Sequence, residues 1–211
     1  MVPYPLYNRK TTDMWTEKEH LHKAIWKRWQ ILIFAKECHQ YAWYFWGDTD
    51  KSKDEIEYMQ SSKHLQFIRE CVFQRYIVEL VKLVSQETSN NHYTFAEFFS
   101  LARKQRIPNC GIDENQIIDW ERRLHIHLPI IETIKILRHK QYAHTDADFD
   151  TATLKTEVSF LKLRELLECL ESIIADVYSL ELESDIQVET PFFSSRKIDI
   201  LTVLAADWKA R

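Results

Sequence analysis

"FLKLRELLECLESIIADVYSL", Phe160 to Leu180, decides the fold. Phe160, Leu163, Leu167, Leu170, Ile174 and Val177 recur at spacings of three and four. On an α-helix that rhythm lines up one apolar face. Such a heptad-like seam suits packing between antiparallel helices. The spacing predicts a helix over about Thr153 to Leu180.

The same rhythm extends toward both termini. Thr16 to Trp46 reads as a long first helix, closed by Gly47. It is rich in aromatics, including Trp26, Trp29, Phe34, Tyr41, Trp43 and Trp46. Core or oligomer packing is the ordinary reading of such a cluster, and a base-stacking surface the lesser one. Asp54 to about Gln86 reads as a second helix, with Leu65, Ile68, Val72, Tyr76, Leu80 and Leu83 on one face. Thr94 is placed to cap a short helix reaching about Arg106, with Glu97 three residues on as in a capping box. A fourth helix runs from near Asp113 toward Tyr142. Pro129 lies inside it and predicts a kink or break, because proline lacks the backbone donor and clashes with the preceding turn. Ser195 is placed to cap a last short helix with Ile198, Leu201, Leu204 and Trp208 on one side. No repeat and no linker divides the chain. The expectation is one all-α domain over 1–211, an antiparallel bundle of about five to six helices with a kinked fourth.

Composition narrows the function. Only two glycines occur in 211 residues, which disfavours turn-rich β folds and excludes Gly-rich phosphate loops in practice. The formal net charge is −4, so no global basic field invites duplex nucleic acid. A selective RNA cleft would need local positive charge. The four cysteines form no C-x-x-C pair. Three of them fall in helical patterns, where a buried reduced thiol is expected. A reducing, cytoplasmic setting follows. The N-terminus lacks an apolar signal region, and Lys27, Arg28, Lys36 and Glu37 interrupt the most apolar stretch, so no membrane partner is expected.

The chemistry concentrates in "ILRHKQYAHTDAD", Ile136 to Asp148. Ile117, Trp120, Leu124, His127, Ile131 and Ile134 form the inward stripe of the fourth helix, and its next member is Arg138. A guanidinium there must be paired, face a wet cleft, or reach solvent at the helix end. His144 follows six positions later. On a straight helix the two side chains would point about 120° apart. The helix must therefore end or bend between them, or each must meet a counterpart on a second chain.

This segment resembles the Arg-x4–6-His motif of HEPN domains, and more widely the abortive-infection (AbiU-type) branch with its "LRdK-x-x-AH-x-D" pattern. The resemblance covers roughly Leu65 to Val177, and the Arg–His segment is its specific part. It implies a HEPN-like core over about 54–180, with the aromatic helix 16–46 and the short helix 195–209 outside it. It also implies a metal-independent, toxin-like or phage-defence endoribonuclease needing no cofactor. Such proteins act as homodimers with two motifs facing across a cleft, and a cognate antitoxin often accompanies them. Single-stranded RNA or tRNA would be the substrate. RNA carries its own nucleophile, the 2′-hydroxyl, so an enzyme need only move protons and stabilise charge. His144 suits the proton transfer and Arg138 the anionic transition state. His139, Lys140, Tyr142 and Asp146 are supporting candidates: His139 to orient a phosphate or Arg138, Lys140 for charge, Asp146 to hold the His144 tautomer or cap a turn. Some HEPN domains have lost cleavage, and a non-catalytic module binding RNA, nucleotide or protein is the alternative.

Other sites fare worse. His20/His22 and His125/His127 are two apart, about 200° on a helix, and cannot share an ion. Asp146, Asp148 and Asp150 mimic the start of a calcium loop, but the glycine needed at its sixth position does not follow.

Overall fold

The structure is a computed structural model, which describes residues 17–46, 51–85, 93–104, 111–139, 158–181 and 199–210. Among them are eight helices and no strand. The helices are α1 (Glu17–Trp46), α2 (Lys53–Ser61), α3 (Lys63–Val84), α4 (Phe95–Arg103), α5 (Glu114–Ile126), α6 (Leu128–Leu137), α7 (Phe160–Glu181) and α8 (Asp199–Ala210).

Eight exceeds the five to six expected because two predicted helices are each divided. The second breaks at Ser62, whose extended backbone ends α2 and begins α3. Its N–H donates to the Tyr58 carbonyl, and its hydroxyl accepts from the Leu65 N–H. One serine thus closes one helix and caps the next. The predicted fourth helix divides at His127, between α5 and α6, with Pro129 in the first turn of α6. Proline is tolerated there because a first-turn N–H has no helical acceptor. Thr94 caps α4 by accepting from the Glu97 N–H, and reciprocal capping boxes at Ser52 and Asp113 start α2 and α5.

The long α1 packs along α3 and α7 and touches α4. Its buried face is Leu21, Ile25, Arg28, Leu32, Ala35, Cys38 and Ala42. No aromatic ring of α1 is fully buried, and Trp29 packs partly buried against the core. Trp26, Phe34, Tyr41 and Trp43 stand at the flanks of that face, partly in solvent. The predicted seam of α7 is buried as read, with Leu163, Leu167, Leu170, Ile174 and Val177 in the core and Phe160 half-buried at its start.

Arg28 is the buried charge of α1, 2% exposed. Its Nε donates to the Thr94 carbonyl at 3.0 Å, NH2 meets Glu97 at 3.0 Å, and NH1 donates to the Ala24 carbonyl. The guanidinium also lies 5.4 Å from the Phe98 ring centroid. This ties α4 to α1.

Two sets of contacts fix helix directions. His22 meets Tyr178, Lys36 meets Glu171 and Trp43 meets Phe160, so α1 runs antiparallel to α7. The Trp120 Nε1–H donates to Asp176 at 3.0 Å and Arg123 reaches Ser172, so α5 is antiparallel to α7 as well. Helix α5 therefore runs toward the end of the bundle where α7 starts.

Helix α8 packs on α2 through Thr202, whose hydroxyl donates to buried Glu55 at 2.6 Å, and through Trp208 beside Tyr58. Its buried position is Ala205, whereas Leu204 and Trp208, expected inside, are more than a third exposed. Ser195 and Ile198 lie outside the described residues. Of the cysteines, Cys38 is buried and Cys169 half-buried, but Cys71 is exposed, contrary to the expected buried thiols.

Candidate functional site

Helix α6 is built to end at a fixed place. Ile130, Ile131, Ile134 and Leu137 are buried, which locks the helix against the core and against α3. Arg138 follows directly, half-buried, its backbone N–H donating to the Ile134 and Lys135 carbonyls. At Arg138 and His139 the chain widens into a π-type turn. Such turns re-aim side chains and recur at functional sites. The C-terminal end of a helix also favours a cation.

The Arg138 guanidinium has no hydrogen-bond or ion-pair partner among the described residues. By contrast, Lys135 pairs with Glu132 at 2.9 Å, and Arg123 with Asp119 and Asp176 at 2.6 and 2.8 Å. Arg28 and Arg138 both continue apolar stripes, but only Arg28 is consumed by structure. His139 is exposed. Lys140, Tyr142, His144 and Asp146 lie outside the described residues. The structure thus places Arg138 and His139 side by side at the end of α6, and the pairing of Arg138 with His144 is a matter for experiment.

Two histidines on the interior side are held neutral. Burial pushes the His127 imidazole below its ordinary value, against the opposing pull of the Glu165 carboxylate. Burial, assisted by Arg164, takes His39 down to about 4. Neither Arg28 nor His39 stood out in the sequence as a site. For Arg28 the signal was available, since it sits at three- and four-residue spacing between Ile25 and Leu32.

Comparison with known proteins decides the family. The HEPN_AbiU2 (AbiU2) family model matches residues 17–184. The chain belongs to the HEPN_AbiU2 family. The matched region takes in α1 through α7, so the aromatic first helix, outside the stretch that carried the initial resemblance, falls within the HEPN_AbiU2 region. Helix α8 lies beyond it. Neither the curated proteins nor the solved structures gave a match. Among the described residues no helix is long and apolar enough to cross a membrane.

Proposed function

We propose that this HEPN_AbiU2 chain is a metal-independent endoribonuclease, a toxin-like or phage-defence effector that cuts RNA with Arg138 and His144. One observation carries the reading: a half-buried arginine at a fixed helix end, in an apolar stripe, with no partner among the described residues. A guanidinium left unneutralised in that position is suited to an anionic ligand.

The chemistry is transesterification. One imidazole takes the proton of the RNA 2′-hydroxyl, and the 2′-oxygen bonds to phosphorus. The bond from phosphorus to the 5′ oxygen breaks, and a protonated imidazole gives that oxygen its proton. The products are a 2′,3′-cyclic phosphate and a 5′-hydroxyl end. Arg138 stabilises the extra negative charge on the phosphoryl oxygens. Two His144 side chains, one from each copy of a homodimer, fill the base and acid roles. Exposed Ile136 (47%) beside Arg138 and Leu161 (62%) at the start of α7 offer that dimer apolar contacts. His139 and Lys140 assist in holding phosphate, Tyr142 and Asp146 in supporting His144. A cognate antitoxin would restrain the enzyme.

The test is cleavage of single-stranded RNA and tRNA in EDTA by wild type, Arg138→Ala and His144→Ala. Cyclic-phosphate ends from wild type are expected, with losses of about 10²–10³-fold on Arg138→Ala and at least about 10²-fold on His144→Ala. Because the Arg138 side chain bonds to no described residue, its alanine variant should melt within about 2 °C of wild type. Equal cleavage by the variants, or none by wild type, makes the chain a non-catalytic HEPN module.

A further inference from the structure

Helices α1 and α7 part along one stretch to leave a cleft of about 370 Å³. That lies within the size range of small-ligand sites. Its two ends differ. At one end the Lys36 ammonium sits 2.8 Å from both oxygens of the Glu171 carboxylate. At the other the Trp43 and Phe160 rings meet edge to face, with centroids 5.9 Å apart. Trp43 lines the cleft and keeps 48% of its surface open. Between the ends stand His39 from α1 and the Arg164–Glu168 pair of α7, 2.8 Å apart at the mouth.

One wall of the cleft carries a histidine with an unbonded ring nitrogen. The Nδ1 of His39 is buried and makes no hydrogen bond. Behind it the fully buried Tyr76 ring lies 5.2 Å away, and the Tyr76 hydroxyl is also unbonded. An unbonded ring nitrogen carries a desolvation cost that a hydrogen-bonding partner would relieve. At neutral pH the His39 ring is uncharged, and with Nδ1 buried it is Nε2 that donates or accepts, according to the tautomer.

These features define the ligand. It has a flat ring to lie against Trp43, and a polar ring edge to bond an uncharged imidazole. It carries hydroxyls for carboxylates to accept. It is not recognised mainly through charge, because two cations and two carboxylates cancel across the cleft. A nucleoside unit meets all four conditions. We propose that the α1–α7 cleft seats one nucleoside of a single-stranded RNA, base on Trp43, base edge on His39, and ribose hydroxyls toward Glu168 and Glu171. On the ribonuclease reading, the cleft would choose a nucleotide of the bound strand. This deepens the ribonuclease reading and rests on it for the identity of the strand.

The test uses the full chain carrying His144→Ala, so that RNA is bound without being cut. Fluorescence anisotropy of labelled A, C and U octaribonucleotides is measured with Trp43 intact and as Trp43→Ala, Trp43→Leu and Trp43→Phe. Loss of one stacked base should raise Kd about tenfold for Ala. Leu, which keeps apolar bulk without a π face, should behave like Ala, and Phe should restore most of the affinity. Free adenosine and uridine should displace the octamers in a Trp43-dependent way. With native His144, KM for cleavage should rise by the same factor. A Kd unchanged within twofold by Trp43→Ala, in a protein with an unaltered melting curve, overturns the proposal, as does failure of the octamers to bind. Nucleosides binding where octamers do not overturns the substrate role and leaves a free-nucleoside site. Failure of the ribonuclease reading looks different: Trp43-dependent RNA binding would persist while wild type cuts nothing.

Discussion

Removing Glu97 should destabilise the protein more than removing the arginine it serves. Arg28 is 2% exposed, and its guanidinium is lowered from its ordinary value to about 10, chiefly by burial and against the pull of Glu97. A shift of that size leaves an uncompensated burial cost of roughly 3 kcal/mol even with Glu97 in place. Breaking a buried pair from one side costs about 3–5 kcal/mol. Glu97 is 27% exposed, so water recovers part of that, and Glu97→Ala should cost about 2–3 kcal/mol. Arg28→Met removes the charge and keeps the stem that packs among Ala24, Thr94 and Phe98. Its effect should be small, within about 1 kcal/mol, since apolar isosteres often replace buried ions without loss. In the double variant Glu97 no longer has a buried charge to serve, so most of the Glu97→Ala penalty should disappear. Urea unfolding followed by far-UV circular dichroism, with a double-mutant cycle, reads all three quantities. Additive effects of the two substitutions would refute the argument. So would an Arg28→Met penalty as large as that of Glu97→Ala.

Two further outcomes follow from the same physics. His39 binds its proton at about 4 in the folded chain and near 6.5 when unfolded, so the unfolded state holds more protons between these values. Stability should therefore fall as pH drops from about 6.5 to 4, by about 2 kcal/mol once partial exposure is allowed for; urea midpoints across that window should flatten in His39→Phe, and an unchanged slope would count against the assignment. Trp120→Phe removes the indole donor to Asp176 and leaves a smaller ring against Phe99, which should cost about 2 kcal/mol in urea unfolding; a variant as stable as the parent would show that Arg123 alone holds the junction of α5 and α7.

The sequence was most legible where apolar spacing is strict. In α7 every predicted seam residue from Leu163 to Val177 is buried, and Thr94 caps α4 as read. The break at Ser62 was hidden because apolar spacing continues across it, and a serine within a helix looks like a serine at its end until the backbone turns. Helix α1 misled for another reason. Aromatic residues occur on several sides of it, so composition marked a packing helix without saying which face is inside. Leu21, Ile25, Leu32 and Ala35 decide that face, and the rings border it. Arg138 was legible as a charge continuing an apolar stripe. Arg28 continues its stripe just as visibly, but that it is wholly engaged could not be read from spacing, since Thr94 and Glu97 lie in a distant segment and are brought to it only by the fold. The α1–α7 cleft was illegible for the same reason: its walls are separated by more than a hundred residues of chain.

That separation bears on how the chain is made. Lys36 and Glu171 are 135 residues apart. At the usual elongation rates of about 5–20 residues per second, α1 emerges and then waits roughly 7–27 s for its partner helix. Helix α3 arrives earlier and can cover one side of α1 during synthesis. The side that will meet α7 stays bare on the ribosome for most of translation. Closing it also requires a long loop to be ordered, which makes it a late and slow step. The cell therefore carries a nascent chain with a half-covered apolar helix before any site at the end of α6 can form. Chaperone demand, and sensitivity to interrupted translation, should both centre on α1.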